Sequence, residues 1–514
     1  MSEVNLSMPS TRNSVFTKMN EGGALTTEVS EEFSLPDYVP EVRRVLLCRA
    51  SVLPESKFIA DSDKGSSVEI GGSVSYMVIY TDDEGNLCST PLSSSYEGKT
   101  SLSSRPSMVF VDTVAENVNL RATAPRKLTI KSRLKSKLYS CEVNEYSECI
   151  QGKSSADELF IERQKRKVDA LGVKSAVLQG IGISEKLDTP ACESLRPIWC
   201  DAGVVIKSST PKGDYIEVSG DVYVKCVCEC DGEISTFTKI MPIYEDVECS
   251  GVTDGSLVSA RGRCVSLTIS SEENDNSSSL FFDVQCEIEC EAYEKLENEV
   301  TLDCYSTKCE LDASYKSMDT FYPVSSFNRS FSVSESVKRK NKEICEIIDT
   351  FLDVSCEKLE NKNGRLSVLG AIKATIIGKG EPDEDMRCEY LCESVDVPFK
   401  YDTDIPYSKD MLTRVSLNAP LMNARISDDK LLINGEAYIA LSAISKSNEK
   451  ILDSAVLKHD NEFKVDNTIV RVFFPQKDDT LWDVAKKYHV RASDIIEKNS
   501  LDSDSLNGIT HLII

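Results

Sequence analysis

The stretch "IEVSGDVYVKCVCECDGE", residues 216–233, decides the fold. Ile216, Val218, Val222, Val224, Cys226, Cys228 and Cys230 fall at alternate positions around Gly220. A period of two places successive side chains on opposite faces of a β-strand, so these residues share one face. Asp231-Gly232 then supplies a two-residue turn suited to a hairpin. The three cysteines raise a question of chemistry: a metal site, a redox centre, or a strand that uses cysteine as a small apolar side chain.

The same grammar recurs. "FDVQCEIECEA" (282–292) alternates strictly, with Phe282, Val284, Cys286, Ile288 and Cys290 on one face and Asp283, Gln285, Glu287, Glu289 and Glu291 on the other. "VEIGGSVSYMVIY" (68–80), "LSVLGAIKATIIG" (366–378) and "KLLINGEAYIALSAI" (430–444) read similarly, and Asp83-Glu84-Gly85 suits another hairpin. Three of these strands align on Gly72, Gly220 and Gly370, each preceded by an apolar alternating pair and followed by an apolar run. A second landmark recurs at Ile130, Val284 and Ile433. An apolar segment precedes each copy: "VRRVLLCRASV", "RPIWCDAGVVI" and "EIIDTFLDVSC". The period is too long for a solenoid and fits whole domains, sandwich-like in character. The fold class expected is mainly β, three tandem units followed by a small C-terminal domain.

The alignment answers the cysteine question. Cys226 falls opposite Val78 and Ile376, and Cys228 opposite Tyr80 and Gly378. Cys230 falls opposite Asp82 and Gly380, so the sibling units place no thiol there. The expected reading is a core-facing strand, with Cys226 most buried and Cys230 most exposed, and no metal. A zinc ion would need ligands from elsewhere, Cys249 and Cys264 being the conceivable donors.

Composition narrows function. The 514 residues carry a net charge of −25, 40% hydrophobic and 28% charged residues. Such an acidic chain repels phosphate backbones and anionic membranes, so neither nucleic acid nor membrane insertion is expected. The polar start "MSEVNLSMPSTRNSVF" lacks the apolar core of a secretion signal, which points to a cytosolic location. There, the 19 cysteines stay reduced. The three histidines, His459, His489 and His511, all lie near the C-terminus. The preceding chain therefore offers no histidine base or histidine-assisted nucleophile. No catalytic residue and no cofactor is expected, and the chain reads as non-enzymatic.

Between the β units, "SSADELFIERQKRKVDALGV" (154–173) and "SESVKRKNKEICEIIDTFL" (334–352) read as helices with mixed charges. The expected organisation is a flexible segment 1–28, a first unit 29–188 including a connector helix, a second unit 189–340, a third 341–465, and a C-terminal domain 466–514. "YEGKT" (96–100) lacks the upstream glycine of a phosphate-binding loop, Ser93 standing in its place. The acidic runs 271–279 and 380–388 read as solvated turns.

After residue 466 the pattern changes. "TIVRVFFP" is strand-like, "DDTLWDVAKKYHV" has helical spacing with Thr480 as N-cap and Asp483 three residues on, "ASDIIEKNSL" is a second short helix stopping near Asn499, and "GITHLII" closes as a strand. This β-α-α-β segment resembles a LysM domain through Asp479-Thr480-Leu481-Trp482, Ala485, Tyr488, Val490, Ile495, Asn499, Leu501, Gly508 and Leu512. The resemblance implies binding of N-acetylglucosamine polymers through the two loops beside the strands. The expected contact residues, for partner or glycan, are Lys477, Asp478, Asp479, Thr480, Leu481, Trp482, Asn499, Ser500 and Leu501. Here Asp478 replaces the glycine usual before Asp-Thr, where a glycine lets a backbone approach a sugar. Arg491 stands where a capping Ser or Thr is usual.

The upstream units resemble SPOCS domains, the β-rich modules of spore-coat and sporulation proteins. The resemblance is carried by "LPDYVPEVRRVLLCRASV" (35–52), the "VEIGGSVSYMVIYTDDEG" strand pair, and the two later copies. Tandem SPOCS units ending in one LysM domain imply a morphogenetic scaffold of the spore coat. Such a scaffold would be made in the mother-cell cytoplasm and recruited to the forespore surface. The implied partners are a stage IV sporulation protein A-like coat ATPase and other coat proteins, with peptidoglycan as the alternative partner.

Overall fold

The computed structural model describes residues 10–62, 65–102, 105–151, 159–274, 277–382, 388–420, 422–463 and 470–514. Up to residue 462 it is built from strands that repeat one plan three times. The first unit opens with a long strand, β1 (Ser10–Ser34), continues through the meander β2 (Arg44–Ser62), β3 (Gly65–Thr81) and β4 (Leu87–Leu102), and returns by β5 (Met108–Ala124) and the long β6 (Lys127–Gln151). β6 pairs antiparallel with both β1 and β5.

The second unit runs β7 (Ile161–Thr189), the meander β8 (Leu195–Pro211), β9 (Tyr215–Cys230) and β10 (Glu233–Glu248), then β11 (Leu257–Asn274) and β12 (Ser277–Ser306). β12 pairs with both β7 and β11. The third runs β13 (Cys309–Lys338), the meander β14 (Glu346–Lys362), β15 (Arg365–Pro382) and β16 (Cys388–Pro406), the short β17 (Leu412–Asn418) and β18 (Asn423–Ser427), and β19 (Lys430–Glu462). β19 pairs with β13, β17 and β18. In each unit the meander packs on the sheet of long strands, with the apolar cores drawn from both layers.

The three aligned glycines have one steric job. A Cβ on Gly72 would lie 2.2 Å from the Leu53 carbonyl oxygen, on Gly220 2.1 Å from that of Val205, and on Gly370 2.1 Å from that of Ser355. The facing strand has a β-bulge at each place: between Pro54 and Ser56, Ile206 and Ser208, and Cys356 and Lys358. A bulge pushes backbone toward the neighbouring strand, and only a residue without a side chain fits beneath it. The second landmark also holds, with Ile130, Val284 and Ile433 all buried in the returning long strands.

The units are not beads on a string. Counting seven residues on from the shared glycine gives Ile79, Val227 and Ile377. All are fully buried, and all meet in one cluster with Ile198, Trp199 and Phe351. They sit on the meander face opposite each unit's own core, so each central strand is buried on both sides. Each of these side chains contributes roughly 1.5–3 kcal/mol by leaving water. A second junction joins the long strands: Phe110 and Tyr139 of the first unit, Leu171 and Tyr293 of the second, and Phe321 and Ile444 of the third.

Charge is buried beside it. Arg414 on β17 pairs with Asp112 on β5 and with Glu291 on β12, and Arg261 pairs with Glu291 from the other side. The Tyr293 hydroxyl donates to Glu291 at 2.7 Å. Burial raises the Asp112 carboxyl, but the hydrogen bond and charge of Arg414 outweigh it and hold Asp112 below the usual carboxylate range. The cluster thus draws charged residues from all three units: Asp112 from the first, Arg261 and Glu291 from the second, and Arg414 from the third.

Four sequence expectations are corrected. The predicted helix at 154–173 is the strand β7 from residue 161 on; residues 152–158 lie outside the described residues. Its mixed charges are cross-strand and inter-strand pairs: Lys165 with Glu299, Lys167 with Glu297, Arg163 with Glu148, and Arg166 with Glu449. Three of these four partners lie more than a hundred residues away and leave no local trace; Glu148 is on the preceding strand β6. The predicted helix at 334–352 is the end of β13, a short irregular stretch and the start of β14. The segment expected to be flexible, 1–28, contains β1 from Ser10, anchored by the buried Phe16 and Met19; residues 1–9 lie outside the described residues. The unit starts expected at 29, 189 and 341 move back to the long strands β1, β7 and β13, giving 10–151, 161–306 and 309–462. The first and third of these share a sheet through the parallel pairing of β6 with β19.

"YEGKT" lies within β4, not in a loop. Part of each acidic run, 275–276 and 383–387, falls outside the described residues. No helix among the described residues is long and apolar enough to cross a membrane.

Candidate functional site

The C-terminal domain is built from two short strands and two helices. β20 (Val472–Phe473) pairs antiparallel with β21 (Leu512–Ile513), and between them run α1 (Leu481–Tyr488) and α2 (Ala492–Asn499). Thr480 caps α1 as its sequence implies, its hydroxyl oxygen accepting from the Asp483 N–H at 3.1 Å. Arg491 precedes α2 without a side-chain cap. The left-handed residue ending α2 is Ser500, not Asn499, with φ of 51°. Asn499 instead clips the last strand to the helix: its amide donates to the Ile513 and Ile495 carbonyls, and its oxygen accepts from the Ile513 N–H.

This domain is seated on the β body. Asp303, on β12 where its pairing with β7 shifts register, accepts from the Trp482 indole at 2.9 Å and from the Lys486 ammonium at 2.6 Å. Tyr305 packs edge-on against Trp482, joins the apolar core of the domain, and donates its hydroxyl to the Val490 carbonyl at 2.8 Å. His489 stacks on Phe463, and Arg491 reaches the Leu159 carbonyl and Glu162. Burial raises the Asp303 carboxyl, but hydrogen bonds from Lys486, Tyr315 and Trp482 outweigh it and hold it below the usual carboxylate range.

The nine residues expected to make contacts therefore divide. Lys477, Asp478 and Thr480 are exposed and Asp479 half-buried, on the loop between β20 and α1. Asp479 closes that loop on itself by accepting from the Gln476 N–H at 2.7 Å. Leu481 is buried in the domain core and Leu501 packs against it. Trp482 faces Asp303, Asn499 holds β21, and Ser500 is an exposed turn residue. The solvent-facing set also includes apolar residues that sequence reasoning missed: Phe474, Val472 and Ile513 are all exposed, on or beside the two-stranded sheet. Their alternation was visible in "VRVFF", but which face would be covered was not.

The order of elements is β-α-α-β, two short helices between two short paired strands. Residues 476–508 match the LysM domain, a family suggesting a role in binding peptidoglycan or related carbohydrate. No curated protein and no solved structure matches the chain.

Two further features lie in the β body. A cavity of about 570 Å³ opens between the first and second units, lined by Tyr96, Lys57, Arg263, Gln285, Glu287 and Glu289. Arg263 is paired with Glu287 there, and Gln179 donates to the same carboxylate.

The thiols of the second unit form a chain. Cys226 and Cys228 are fully buried with their sulfurs 3.3 Å apart, and Cys200, opposite Cys226 on β8, lies 2.7 Å from it. Cys230 is half-buried. Hydrogen bonding to Cys192, then burial, pushes the Cys230 thiol up to about 12. A thiol held protonated is a poor nucleophile. Cys230 is the most exposed of the three, as expected, while Cys226 and Cys228 are equally buried. The expected outside donors, Cys249 and Cys264, are not the ones brought to Cys230: Cys192 and Asp231 are.

Proposed function

We propose that the chain is a non-enzymatic assembly scaffold of the spore coat, its β body presenting the LysM domain as a docking module. In this reading it is made in the mother-cell cytoplasm and recruited to the forespore surface, where the LysM domain contacts a stage IV sporulation protein A-like coat ATPase. The observation that carries the proposal is the seating of the domain on Asp303 and Tyr305. One face is held by the body, while Phe474, Lys477 and Asp478 point outward together with the exposed Asp502 and Asp504 of the loop after α2. An exposed aromatic side chain on a domain that also exposes Asp478, Asp502 and Asp504 has the chemistry of a protein contact with a basic partner. The resemblance of the three units to SPOCS modules supports the coat assignment. The test is co-purification of the coat ATPase with the full chain from sporulating cells. Phe474→Ala combined with Asp478→Lys should reduce recovery at least tenfold. Undiminished recovery would sink the docking role.

A second reading rests on the LysM match itself: a cell-wall protein binding N-acetylglucosamine polymers. Aspartate carboxylates accept hydrogen bonds from sugar hydroxyls, but the Asp478 side chain occupies the place where a glycine would admit a close approach. Saturable retention of the full chain on purified peptidoglycan, strengthened by Asp478→Gly, would favour this reading over the first.

A further inference from the structure

One end of the second unit brings the thiol of a loop residue to the thiol and carboxylate of two consecutive residues elsewhere in the chain. Cys192 lies in the loop joining β7 to β8, Cys230 ends β9, and Asp231 opens the hairpin turn to β10. Their donor atoms, two Sγ and a carboxylate oxygen, all lie within 4.8 Å of one another.

This is a fixed arrangement. The Cys192 N–H donates to the Ser278 hydroxyl at 3.2 Å, and that hydroxyl donates to the Cys192 carbonyl at 3.1 Å, tying the loop to buried β12. The Ser194 N–H donates to the Asp231 carboxylate at 3.0 Å, and the Asp231 N–H donates back to the Ser194 carbonyl at 3.2 Å. Loop and turn are therefore stitched together on both sides of the three donors. Asp231 holds the left-handed first position of the turn, with a φ of 52°, and its carboxylate is fixed by the bond from Ser194.

We propose that Cys192, Cys230 and Asp231 form a binding site for a thiophilic divalent cation, zinc being the type that the donor set fits. Two sulfurs select against calcium and magnesium, which take oxygen ligands. Tetrahedral zinc with Zn–S bonds of about 2.3 Å separates two sulfurs by about 3.8 Å, a span these donors reach with small side-chain rotations. Three protein ligands leave a fourth position, and the exposed Asp231 places it toward solvent. Both thiols release their protons on binding. The ion would clip the β7–β8 loop to the β9–β10 turn, across the open end of the second unit's two layers. The first and third units have Asp82 and Gly380 where the second has Cys230, so the site belongs to the second unit alone.

The test uses the full chain, reduced, loaded with zinc, dialysed and assayed for bound metal, with cobalt substitution read by sulfur-to-cobalt charge-transfer absorption. The expected result is one tightly held ion per chain and a thiolate band. Cys192→Ser and Cys230→Ser should each abolish the band and weaken retention more than tenfold. Asp231→Asn, whose side chain also tolerates the left-handed turn, should keep the fold by circular dichroism and weaken retention about tenfold. Cys345→Ser, at an exposed cysteine elsewhere, should change nothing. Wild-type chain that retains no zinc, or retention unaffected by the Cys192 and Cys230 substitutions, would overturn the site.

Discussion

Arg49 and Asp201 occupy the same place in two copies of one strand, carry opposite charges, and bind each other at 2.8 Å. Each is the third residue after a β-bulge residue, Leu46 or Ile198, and each faces the central strand of its meander, at Met77 and Lys225. The third copy places Phe351 there, opposite Thr375. Arg49 also pairs with Asp353 at 2.9 Å and lies over the Phe351 ring. Equivalent positions of the three units are thus filled by three unlike side chains, with Arg49 meeting the other two.

Arg49→Ala should therefore destabilise the whole β body rather than the first unit alone. Removing it leaves Asp201 half-buried and unpaired, which costs about 2–4 kcal/mol. Asp201→Asn should cost less, because Arg49 keeps Asp353. Urea unfolding checks both: equal losses from the two variants would show that the bridge to Asp353 carries nothing.

The repeat glycines predict a second pattern. Gly72→Ala, Gly220→Ala and Gly370→Ala each drive a methyl group into a facing carbonyl oxygen. Each should lose about 1–3 kcal/mol or more. Gly23→Ala meets nothing within 4 Å and should stay within about 0.5 kcal/mol of the parent. Thermal melting of the four variants separates the close-approach glycines from the permissive one.

Cys226 offers a third. It is fully buried against Cys200 and Cys228. If its role is apolar filling, Cys226→Val should be tolerated within about 1.5 kcal/mol. Cys226→Ser, which buries a more polar hydroxyl, should cost about 1–3 kcal/mol. A larger loss from valine than from serine, in the same melting assay, would contradict that role.

What could be read beforehand follows a physical division. Gly220, the alternation around Cys226 and the cap at Thr480 were legible because each is a local constraint: a missing Cβ, a strand period, a hydroxyl one turn from an N–H. β7 was not. "IERQKRKVDAL" carries helix-compatible charges, and the glutamates that pair with them sit on β6, β12 and β19. The role of Trp482 was half legible: its place in a helix could be read, but not Asp303, whose strand comes 179 residues earlier. The zinc-ligand set was missed for the same reason, since Cys192 reaches Cys230 only through tertiary packing.

Asp303 makes the seating of the LysM domain dependent on pH. Its carboxyl is held below the usual value of about 3.9. A depressed carboxylate contributes stability that is fully present above the ordinary value and lost as pH falls through its own lower one. The seat should hold unchanged at neutral pH and weaken only in acid, beginning near pH 4. Asp303→Asn removes the charge that Lys486 and Trp482 meet, so it should weaken the seat by about 1.5–3 kcal/mol already at neutral pH and abolish the acid step. Hydrogen exchange of the α1 amides and emission from Trp482 report on the same contact. An acid transition that persists in Asp303→Asn would assign the seat to other groups. Unchanged exchange at neutral pH would leave Tyr305 and Phe463, rather than Asp303, holding the domain on the body.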